Sequence, residues 1–366
     1  MNKLTKILIG GGGTGGHIFP AIAIANRFKE ILSDVDILFV GATDRMEMER
    51  VPAAGYSIKG LWISGLQRSL SLKNLLFPFK LLYSLLKVGV IIRAFKPNLV
   101  IGVGGYSSGP VVYMASRKKI PTLIQEQNSY AGITNKLLAK RVDKICVAYD
   151  NMERFFPKDK MVLTGNPVRK DILDISQKKP EALKHFKLSS DKPVILVIGG
   201  SLGARTINES IINNIEKLVK SDVQVLWQSG KSFDANAHKS TLEKYAAIHL
   251  QPFINKMDLA YAAADIIISR AGAISVSELC IIGKPLILVP SPNVAEDHQT
   301  KNAMALVDKQ AAILVKDIDA KEKLIDEAIR LINDKNLQHN LSEAIVKLAK
   351  KDAAKEIVEE ALKLIA

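Results

Sequence analysis

Cysteine is too scarce in this sequence for a disulfide framework. Cys146 and Cys280 are the only two among 366 residues, and each lies inside an apolar run. We therefore predict two buried free thiols and a reducing compartment. Residues 1–6 lead directly into an apolar strand and then into glycines. Because an apolar stretch that ends in a cleavage site is missing there, we expect no signal peptide.

Clusters of metal-binding residues are missing as well. No His or Cys pair has the spacing of metal ligands, and Glu296, Asp297 and His298 are consecutive, so they would not converge on one ion from a helix. We predict that the protein uses no metal and no other cofactor. Aromatic residues make up only 6% of the chain, and no nucleic-acid-binding motif is present. Nucleic acid is therefore not expected as a partner.

Acidic residues are absent from a long stretch of the first half. Residues 51–125 contain ten Lys or Arg and no Asp or Glu. Residues 1–165 carry 23 basic against 11 acidic side chains, a net charge of +12, whereas residues 166–366 carry 28 against 26, a net charge of +2. A field of one sign indicates an anionic surface as a partner, and we predict a membrane, with general solubility as the alternative.

The segment 73–96 is the candidate for that membrane contact. Its lysines recur every seven residues, so they would form one stripe on a helix, among many leucines. A transmembrane helix is disfavoured because each lysine at mid-bilayer would cost about 2.5–3.5 kcal/mol. Two compatible interpretations stay open: an interfacial helix with snorkelling lysines, or a core helix with its lysines in water. The side chains predicted to face the membrane are Lys73, Lys80, Lys87, Phe77 and Phe79.

Short runs of Ile, Val and Leu alternate with longer helical patterns along the whole chain. That alternation is typical of parallel sheets covered on both faces by helices. Residues 321–366 read as successive amphipathic helices. The predicted strands cover residues 6–9, 36–40, 99–103, 122–125, 144–147, 194–198, 223–228, 249–251, 266–269 and 286–289.

An internal repeat divides the chain. Residues 6–14 and 194–204 both read as a strand, a glycine-rich turn and the start of a helix. The repeat predicts an α/β protein with two Rossmann-like parallel-sheet domains that face a central cleft, where open sheets of this kind bind ligands. The predicted domains are residues 1–165 and residues 166–348, with a last helix of about residues 349–366 packing back on the first domain.

The first glycine run, residues 10–16, formally contains the G-x-G-x-x-G pattern of dinucleotide-binding proteins. That fingerprint also needs an acidic residue at the end of the second strand, which here ends in Phe-Val-Gly. A nicotinamide-dependent oxidoreductase is therefore disfavoured. The run still offers backbone N–H groups to a phosphate. His17 follows at a helix N-terminus, which favours a neutral imidazole that can act as a base; a capping or core histidine is the alternative.

Two further loops of the first half follow predicted strands. Residues 102–110 are again rich in glycine, which predicts a diphosphate site, with a tight strand–helix turn as the alternative. Residues 125–128 read Gln-Glu-Gln-Asn directly after another strand. Polar side chains at the carboxyl end of a strand favour a functional site.

The second half carries a comparable set of residues. Ser201 and the amides of its glycine loop suit a diphosphate, and Arg169 adds positive charge. Glu278 lies in an apolar helical turn, where an unpaired carboxylate is costly. It either binds two ribose hydroxyls or forms a structural ion pair. Residues 296–299 are four polar residues before a helix, which suits recognition of a sugar.

Seven motifs, in order along nearly the whole chain, resemble the MurG family of glycosyltransferases. The resemblance implies a GT-B fold and no metal. It implies an inverting transfer of N-acetylglucosamine from UDP-N-acetylglucosamine to the C4 hydroxyl of the muramyl sugar of lipid I, which gives lipid II for peptidoglycan synthesis. It also implies peripheral attachment to the cytoplasmic face of the bacterial inner membrane. The motifs are residues 12–20, 104–110, 125–128, 165–169, 199–205, 270–278 and 297–299.

The resemblance also implies roles for single residues. His17 and Glu126 are rival candidates for the catalytic base. Ala271 stands where some members have Ser, and we expect little consequence. The implied contacts to UDP-N-acetylglucosamine are Thr14, Gly15, Gly16, Asn128, Arg169, Ser201, Ile254, Gly272, Ala273, Ile274, Ser275, Val276, Ser277, Glu278 and Gln299. The acceptor diphosphate is expected at Gly13, Gly104, Gly105, Tyr106 and Ser107.

Two alternatives remain. One is another UDP-sugar-dependent transferase of the same fold that acts on a lipid acceptor. The other is a non-catalytic nucleotide-binding membrane adaptor. The adaptor would depend on Glu278 and Gln299, but it would tolerate substitution of His17 and Glu126.

Overall fold

A computed structural model describes residues 4–65 and 75–366 and divides the chain into two compact units. Unit 1 consists of Met1–Val168 and Asp352–Ala366, and unit 2 consists of Arg169–Lys351. The first division falls between Val168 and Arg169, three residues after the predicted boundary at residue 165.

Unit 1 is built on a seven-stranded parallel sheet. Its strands are β1 (Thr5–Gly10), β2 (Val35–Ala42), β3 (Ser57–Leu61), β4 (Leu99–Gly102), β5 (Thr122–Glu126), β6 (Lys144–Val147) and β7 (Met161–Leu163). Its first helices are α1 (Gly15–Ile31), α2 (Glu47–Ala53), α3 (Phe77–Phe95), α4 (Ser108–Arg117) and α5 (Ile133–Leu138). The strand order is β3-β2-β1-β4-β5-β6-β7. The order reverses between β1 and β4, so ligands are expected at the carboxyl ends of these two strands.

The core of unit 1 shows why its strands are apolar on both faces. Ile7, Leu8 and Ile9 are all completely buried, although successive residues of a strand point to opposite faces. Ile7 and Ile9 pack in one layer with Ile357, whereas Leu8 packs in the other with Val88. Burial of each such side chain contributes about 1.5–3 kcal/mol.

Unit 2 repeats the design with six parallel strands. They are β8 (Val194–Ile198), β9 (Gln224–Gln228), β10 (Ile248–Gln251), β11 (Ile266–Ser269), β12 (Leu286–Leu288) and β13 (Ile313–Leu314). Its helices are α6 (Lys179–Phe186), α7 (Arg205–Asn213), α8 (Ile215–Lys220), α9 (Lys239–Leu242), α10 (Met257–Ala263), α11 (Ala273–Ile282), α12 (His298–Val307), α13 (Ala320–Asn333) and α14 (Lys335–Val346). The strand order is β10-β9-β8-β11-β12-β13, so the order reverses between β8 and β11.

The last helix, α15 (Ala353–Lys363), belongs to unit 1. It buries Ile357 and Val358 in the same core layer as α1, and Glu360 lies 3.4 Å from Lys144 of β6. The amphipathic pattern over residues 321–366 is therefore confirmed as α13, α14 and α15. Its apolar residues recur at helical spacing, which is a signal that depends on local sequence alone.

All ten predicted strands are present, and three further strands were missed. The missed strands β3, β7 and β13 lie at sheet edges. Their residues are mostly half-buried or exposed, so they lack the continuous apolar run that marks a central strand. The prediction of buried free thiols is confirmed for Cys146 and Cys280. Burial raises the pKa of each thiol to about 12.

Candidate functional site

The two glycine-rich loops of unit 1 lie side by side where the strand order reverses. Gly10 of β1 pairs with Gly102 of β4, and the Val103 N–H donates to the Gly10 carbonyl at 2.9 Å. Gly105 has a φ of 79°, and a Cβ placed on it would fall 2.2 Å from the carbonyl oxygen of Gly12. A side chain is excluded there because backbone packs on backbone. The loops after β1 and β4 therefore form one continuous surface.

His17 lies at the border of this surface, in the first turn of α1. Its Nδ1 is 3.1 Å from Thr14 Oγ1. The other side of the ring faces the second loop, since a Cβ placed on Gly104 would lie 2.9 Å from His17 Nε2. The structure thus brings Thr14 and His17 of one motif together with Gly104 of another.

Glu126, the rival candidate for the base, ends β5 and is committed to its own loop. Oε1 accepts hydrogen bonds from the N–H and the side-chain amide of Asn128 at 3.1 and 3.4 Å. Oε2 accepts from the Gly132 N–H at 3.0 Å and from Asn135 Nδ2 at 2.8 Å. The side chain is 2% exposed, and burial raises its pKa against the opposing effect of these hydrogen bonds. This geometry favours His17 over Glu126 as the group that meets a substrate.

The residues predicted for the acceptor diphosphate differ in accessibility. The Gly13 N–H donates to Glu47 Oε2 at 2.9 Å, so it is not free for a phosphate in this conformation. The Ser107 hydroxyl is buried and has no hydrogen-bond partner among the described residues. Tyr106, by contrast, is 52% exposed beside the N-terminus of α4.

Residues 105–109 also have the Gly-x-Ser-x-Gly spacing of a nucleophile elbow, between a strand and a helix. The backbone does not have the strained turn of such a site, because Ser107 has an ordinary helical conformation with a φ of −72°. Its buried hydroxyl is also out of reach of a substrate. Ser107 therefore does not fit the role of a nucleophile.

In unit 2 the corresponding loops follow β8 and β11. Ile198 of β8 pairs with Ser269 of β11, and each strand leads through a glycine-containing loop into a helix. Ser201 is exposed on the first loop, whose position is fixed because the Lys231 N–H donates to the Ser201 carbonyl at 3.2 Å. Gly272 is the N-cap of α11. The free N–H groups of such helix N-termini suit anions.

Glu278 forms the structural ion pair that was one of its two interpretations. Arg169 Nε donates to Glu278 Oε1 at 3.0 Å, and the Tyr261 hydroxyl donates to Oε2 at 3.0 Å. Burial raises the pKa of Glu278, while the positive charge of Arg169 opposes that rise. Burial alone would lower the pKa of Arg169, but Glu278 raises it. Each carboxylate oxygen can accept a second hydrogen bond, so binding of ribose hydroxyls stays a prediction.

Two other residues that were predicted to contact UDP-N-acetylglucosamine already use one polar group in a hydrogen bond within the protein. The Ile254 N–H donates to Gln228 Oε1 at 2.9 Å, so the Ile254 carbonyl is the group that remains to contact the uracil of UDP. Gln299 Oε1 accepts from the Ser291 N–H at 2.9 Å, which leaves its side-chain NH₂ as a donor. Arg270 donates hydrogen bonds to the carbonyls of Val289 and Pro290, which hold its side chain in place.

The remaining predicted contacts to UDP-N-acetylglucosamine lie in the first turns of α1 and α11, in the loops that enter these helices, and in the loop after β5. In the first turns of α11, Val276 is buried, and Ser277 Oγ donates back to the Ala273 carbonyl at 3.0 Å. Asn128 lies in the loop after β5. Of the others, Gly272, Ala273, Ile274 and Ser275 are half-buried at the start of α11, and Thr14, Gly15 and Gly16 are exposed or half-buried at the start of α1.

Three partners at the site were missed at the sequence level. Tyr261 and Gln228 bond to Glu278 and Ile254, and Glu47 bonds to the first glycine loop. Glu47 had a usable signal, since it follows a strand at the carboxyl edge, as the Gln-Glu-Gln-Asn motif does. Tyr261 lies inside an apolar helix and had no such signal.

α3 carries an exposed apolar stripe in the same unit as His17. Only Ser84, Val88 and Ile92 of this helix are buried. The helix therefore packs in the core with one side, and an interfacial role for the other side stays a prediction. Exposed along the second side are Phe79 at 67%, Leu82 at 58%, Tyr83 at 43%, Leu86 at 66% and Val90 at 64%.

The lysines of α3 border this stripe and stack on aromatic rings. Lys80 Nζ lies 5.3 Å from the ring centre of Trp62, and Lys87 Nζ lies 5.6 Å from that of Tyr83. Such cation–π contacts hold the lysine stems against apolar surface. Phe77 is half-buried at the start of the helix, and Lys73 lies outside the described residues.

Two features are absent from the described ranges, residues 4–65 and 75–366. No helix there is long and apolar enough to cross a membrane. No group of three or more His, Cys, Asp or Glu side chains in those ranges is placed to hold a metal ion. The expectation that no metal is used stays a prediction.

The chain matches two family models that together span most of its length. Residues 7–147 match the glycosyltransferase family 28 N-terminal domain, and residues 194–357 match the glycosyltransferase family 28 C-terminal domain.

Curated proteins of similar length carry one name. A protein of Parabacteroides distasonis is 55% identical over 362 residues, with 98% of each chain covered. A protein of Flavobacterium psychrophilum is 56% identical, with the same coverage. Both are named UDP-N-acetylglucosamine–N-acetylmuramyl-(pentapeptide) pyrophosphoryl-undecaprenol N-acetylglucosamine transferase.

Solved structures share the fold. The crystal structure of Acinetobacter baumannii MurG superposes with a TM-score of 0.78 at 27% identity, over 98% of this chain and 99% of that one. A UDP-GlcNAc 2-epimerase from Neisseria meningitidis bound to UDP-GlcNAc has a TM-score of 0.68, with 99% of this chain and 100% of that one covered. Its identity of 16% indicates a common fold and nothing further.

Proposed function

This chain belongs to glycosyltransferase family 28, and we propose that it transfers N-acetylglucosamine from UDP-N-acetylglucosamine to the C4 hydroxyl of the muramyl sugar of lipid I, which gives lipid II. The observation that carries this proposal is the match over 98% of the chain, at 55% identity, to a protein named for that transfer. Anion-ready glycine loops in both units support it, because donor and acceptor each contain a diphosphate.

The donor is assigned to unit 2 through its nucleotide, and Thr14, Gly15, Gly16 and Asn128 of unit 1 stay predicted contacts to the donor. The Ser201 hydroxyl and the N–H groups at the start of α11 would bind its diphosphate, and Arg169 would supply a positive charge. Arg169 is suited to this because its side chain is 43% exposed while Nε stays bonded to Glu278. Glu278 would accept hydrogen bonds from the ribose hydroxyls without losing its partners.

The acceptor is assigned to unit 1. Its diphosphate would lie on the second glycine loop, beside Tyr106 and the N-terminus of α4. His17 is the proposed base, because its ring borders that loop and is held by Thr14. Glu126 is then a residue that shapes the neighbouring loop and does not touch the reacting atoms.

The transfer follows as a single displacement. The C4 oxygen of the muramyl sugar forms a bond to C1 of N-acetylglucosamine from the face opposite UDP, and its proton passes to His17. The bond between C1 and the diphosphate oxygen breaks, and its electron pair leaves with UDP. Ser201, Arg169 and the helix N–H groups would stabilise the charge that develops on that diphosphate.

We also infer peripheral binding to the anionic cytoplasmic face of the bacterial inner membrane. The exposed apolar stripe of α3 and the surplus of basic residues in the first half support this inference. The apolar side chains would enter the interface while Lys80 and Lys87 stay near the headgroups. The polyprenyl chain of the acceptor would remain in the bilayer beside residues 73–96.

The experiment measures UDP release from UDP-N-acetylglucosamine with and without the lipid-linked acceptor. Release should depend on the acceptor and should resist EDTA. His17→Ala should lower turnover by at least about tenfold, because general base catalysis contributes about 10²–10⁴-fold. UDP affinity should change less than about twofold, since His17 does not lie on the unit to which the donor is assigned.

His339→Ala is the matched control, because His339 is an exposed histidine on α14. Glu126→Ala is measured in parallel. If neither His17→Ala nor Glu126→Ala lowers turnover tenfold, the assignment of the base is wrong. UDP binding without any turnover in the native protein would instead favour the adaptor.

A further inference from the structure

A buried acidic side chain beneath the first glycine loop has no part in the transfer described above. Glu47 opens α2 and is 1% exposed. Among the residues that the structure describes, no Lys, Arg or His forms an ion pair with it. A buried carboxylate without a counter-charge is costly, so its remaining contacts must compensate.

Those contacts are two backbone N–H groups, one in the loop after β1 and one at the end of β2. Oε2 accepts from the Gly13 N–H at 2.9 Å, in the loop after β1. Oε1 accepts from the Ala42 N–H at 2.9 Å, at the end of β2. Glu47 therefore joins the carboxyl ends of two neighbouring strands, and charge-assisted hydrogen bonds of this kind are strong.

The loop is shaped around this carboxylate. Gly12 has a φ of 153°, and a Cβ placed on it would fall 2.1 Å from Glu47 Oε1. A Cβ on Gly41 would fall 2.5 Å from Glu47 Cγ. Both positions therefore leave room only for hydrogen, which fixes how the glycine loop sits over Glu47.

The contact leads directly to the proposed base. Gly13 is followed by Thr14, whose carbonyl accepts the His17 N–H at 3.1 Å and whose Oγ1 lies 3.1 Å from His17 Nδ1. A shift of Gly13 is therefore passed to His17 through one residue. We propose that Glu47 is a positioning residue, which holds the first glycine loop and thereby sets the place of the His17 ring. This inference rests on the proposed role of His17 in the transfer.

Glu47→Gln is the first test variant, because it keeps the shape but places an NH₂ group against one of the two backbone N–H groups. It should lower kcat by about tenfold to 10²-fold, since a misplacement of about 1 Å can cost that much. The UDP affinity should stay within about twofold of that of the native protein, because the nucleotide part of the donor is assigned to unit 2. Glu47→Asp, which keeps both oxygens on a shorter stem, should show an intermediate kcat.

The matched control is Glu49→Gln, an exposed position of the same helix, which should leave kcat unchanged. Native kcat in Glu47→Gln would overturn the proposal. An equal loss of kcat and of UDP-binding sites per chain would also overturn it, because that pattern marks a purely structural residue. If Glu47→Gln does not fold, Glu47→Asp decides on the same criteria, and failure of both to fold counts against the proposal. A native protein that transfers no sugar would refute the proposed function, whatever the variants do.

Discussion

The buried carboxylates of this protein have different hydrogen-bond partners, and the type of partner predicts how disruptive its removal is. Glu278 has an arginine at 3.0 Å, whereas Glu126 and Glu47 have backbone or amide donors. Burial raises the pKa of both Glu126 and Glu278. Removal of Arg169 would leave Glu278 with its tyrosine alone, which is more disruptive than the loss of one donor among the several that surround Glu126.

Lys284 is a half-buried cation for which the pH dependence can be predicted. Its ammonium group donates to the carbonyls of Ala262 and Ala264 at the end of α10. Burial lowers the pKa of Lys284 to about 8. An unfolded lysine titrates near about 10.4, so between these values the unfolded chain binds more protons than the folded one. Stability contributed by this residue therefore rises with pH across that range and is lost as the pH falls through 8.

Lys284→Met, which keeps the length and removes the charge, tests this linkage. The free energy of unfolding of the native protein minus that of the variant should increase by up to about 3 kcal/mol between about pH 8 and pH 10.4. Urea unfolding at a series of pH values measures this difference, in which the titration of all other groups cancels. A difference that does not change with pH would contradict the prediction.

Among the elements, α3 departs from an ordinary amphipathic helix, which has one apolar and one polar side. Its two sides are both apolar, and only the side with Ser84, Val88 and Ile92 packs on the sheet. The other side exposes a continuous row of large apolar residues to solvent. Contiguous apolar surface of this kind marks an interaction site, and the lysines along its border suit an anionic interface.

Substitution on the exposed side of α3 should separate membrane binding from folding. Leu82→Ser combined with Leu86→Ser should weaken binding to vesicles with anionic lipid by at least about tenfold, because each buried leucine contributes up to about 1.5–3 kcal/mol. Co-sedimentation with vesicles measures the binding, and thermal unfolding should show little change because both side chains are exposed.

Ile318→Ser is the matched control for this pair. Ile318 is 87% exposed but lies in unit 2, so its loss should leave vesicle binding unchanged. Equal effects of the control and of the α3 variant would contradict a specific membrane face. Undiminished binding of the α3 variant would have the same meaning.

Over the whole molecule, charge and chemistry are divided between the two halves of the chain. Residues 1–165 have a net charge of +12 and residues 166–366 a net charge of +2. The proposed acceptor site lies in the basic half, where it would meet an anionic membrane. The proposed donor site lies in the nearly neutral half, where local groups such as Arg169 supply the charge.

This division predicts how charge reversal and salt act on the protein. Changing Lys73, Lys80 and Lys87 together to Glu should weaken binding to anionic vesicles by at least about tenfold, since each lysine near such a surface contributes about 1 kcal/mol. Binding to neutral vesicles should change far less. The effect should shrink as salt rises, because the Debye length falls to about 8 Å at physiological ionic strength.

The control changes three exposed lysines of unit 2 to Glu, namely Lys239, Lys244 and Lys323. Vesicle flotation at two salt concentrations compares the membrane binding of the two triple variants. Equal losses for both sets would indicate that net charge alone governs binding, and unchanged binding of the first set would refute a basic membrane face.

Local sequence determined the architecture and the position of the candidate loops. Central strands such as Val194–Ile198 are continuous apolar runs because helices cover both faces of a parallel sheet. Glycines mark the turns where strands lead into helices, and the resemblance of seven motifs identified the family. Each of these signals depends on residues close together in the chain, so no tertiary information was needed.

Only the tertiary structure decided what each polar side chain contacts. Arg169 and Glu278 are 109 residues apart in sequence, and Gly13 and Glu47 are 34 apart, so no local pattern could pair them. The sequence also could not tell which side of α3 is buried, because both sides are largely apolar. Hydrogen bonds and burial depend on distances that packing sets, and for this reason the loops were predictable while the partners of Glu126, Ile254 and Glu278 were not.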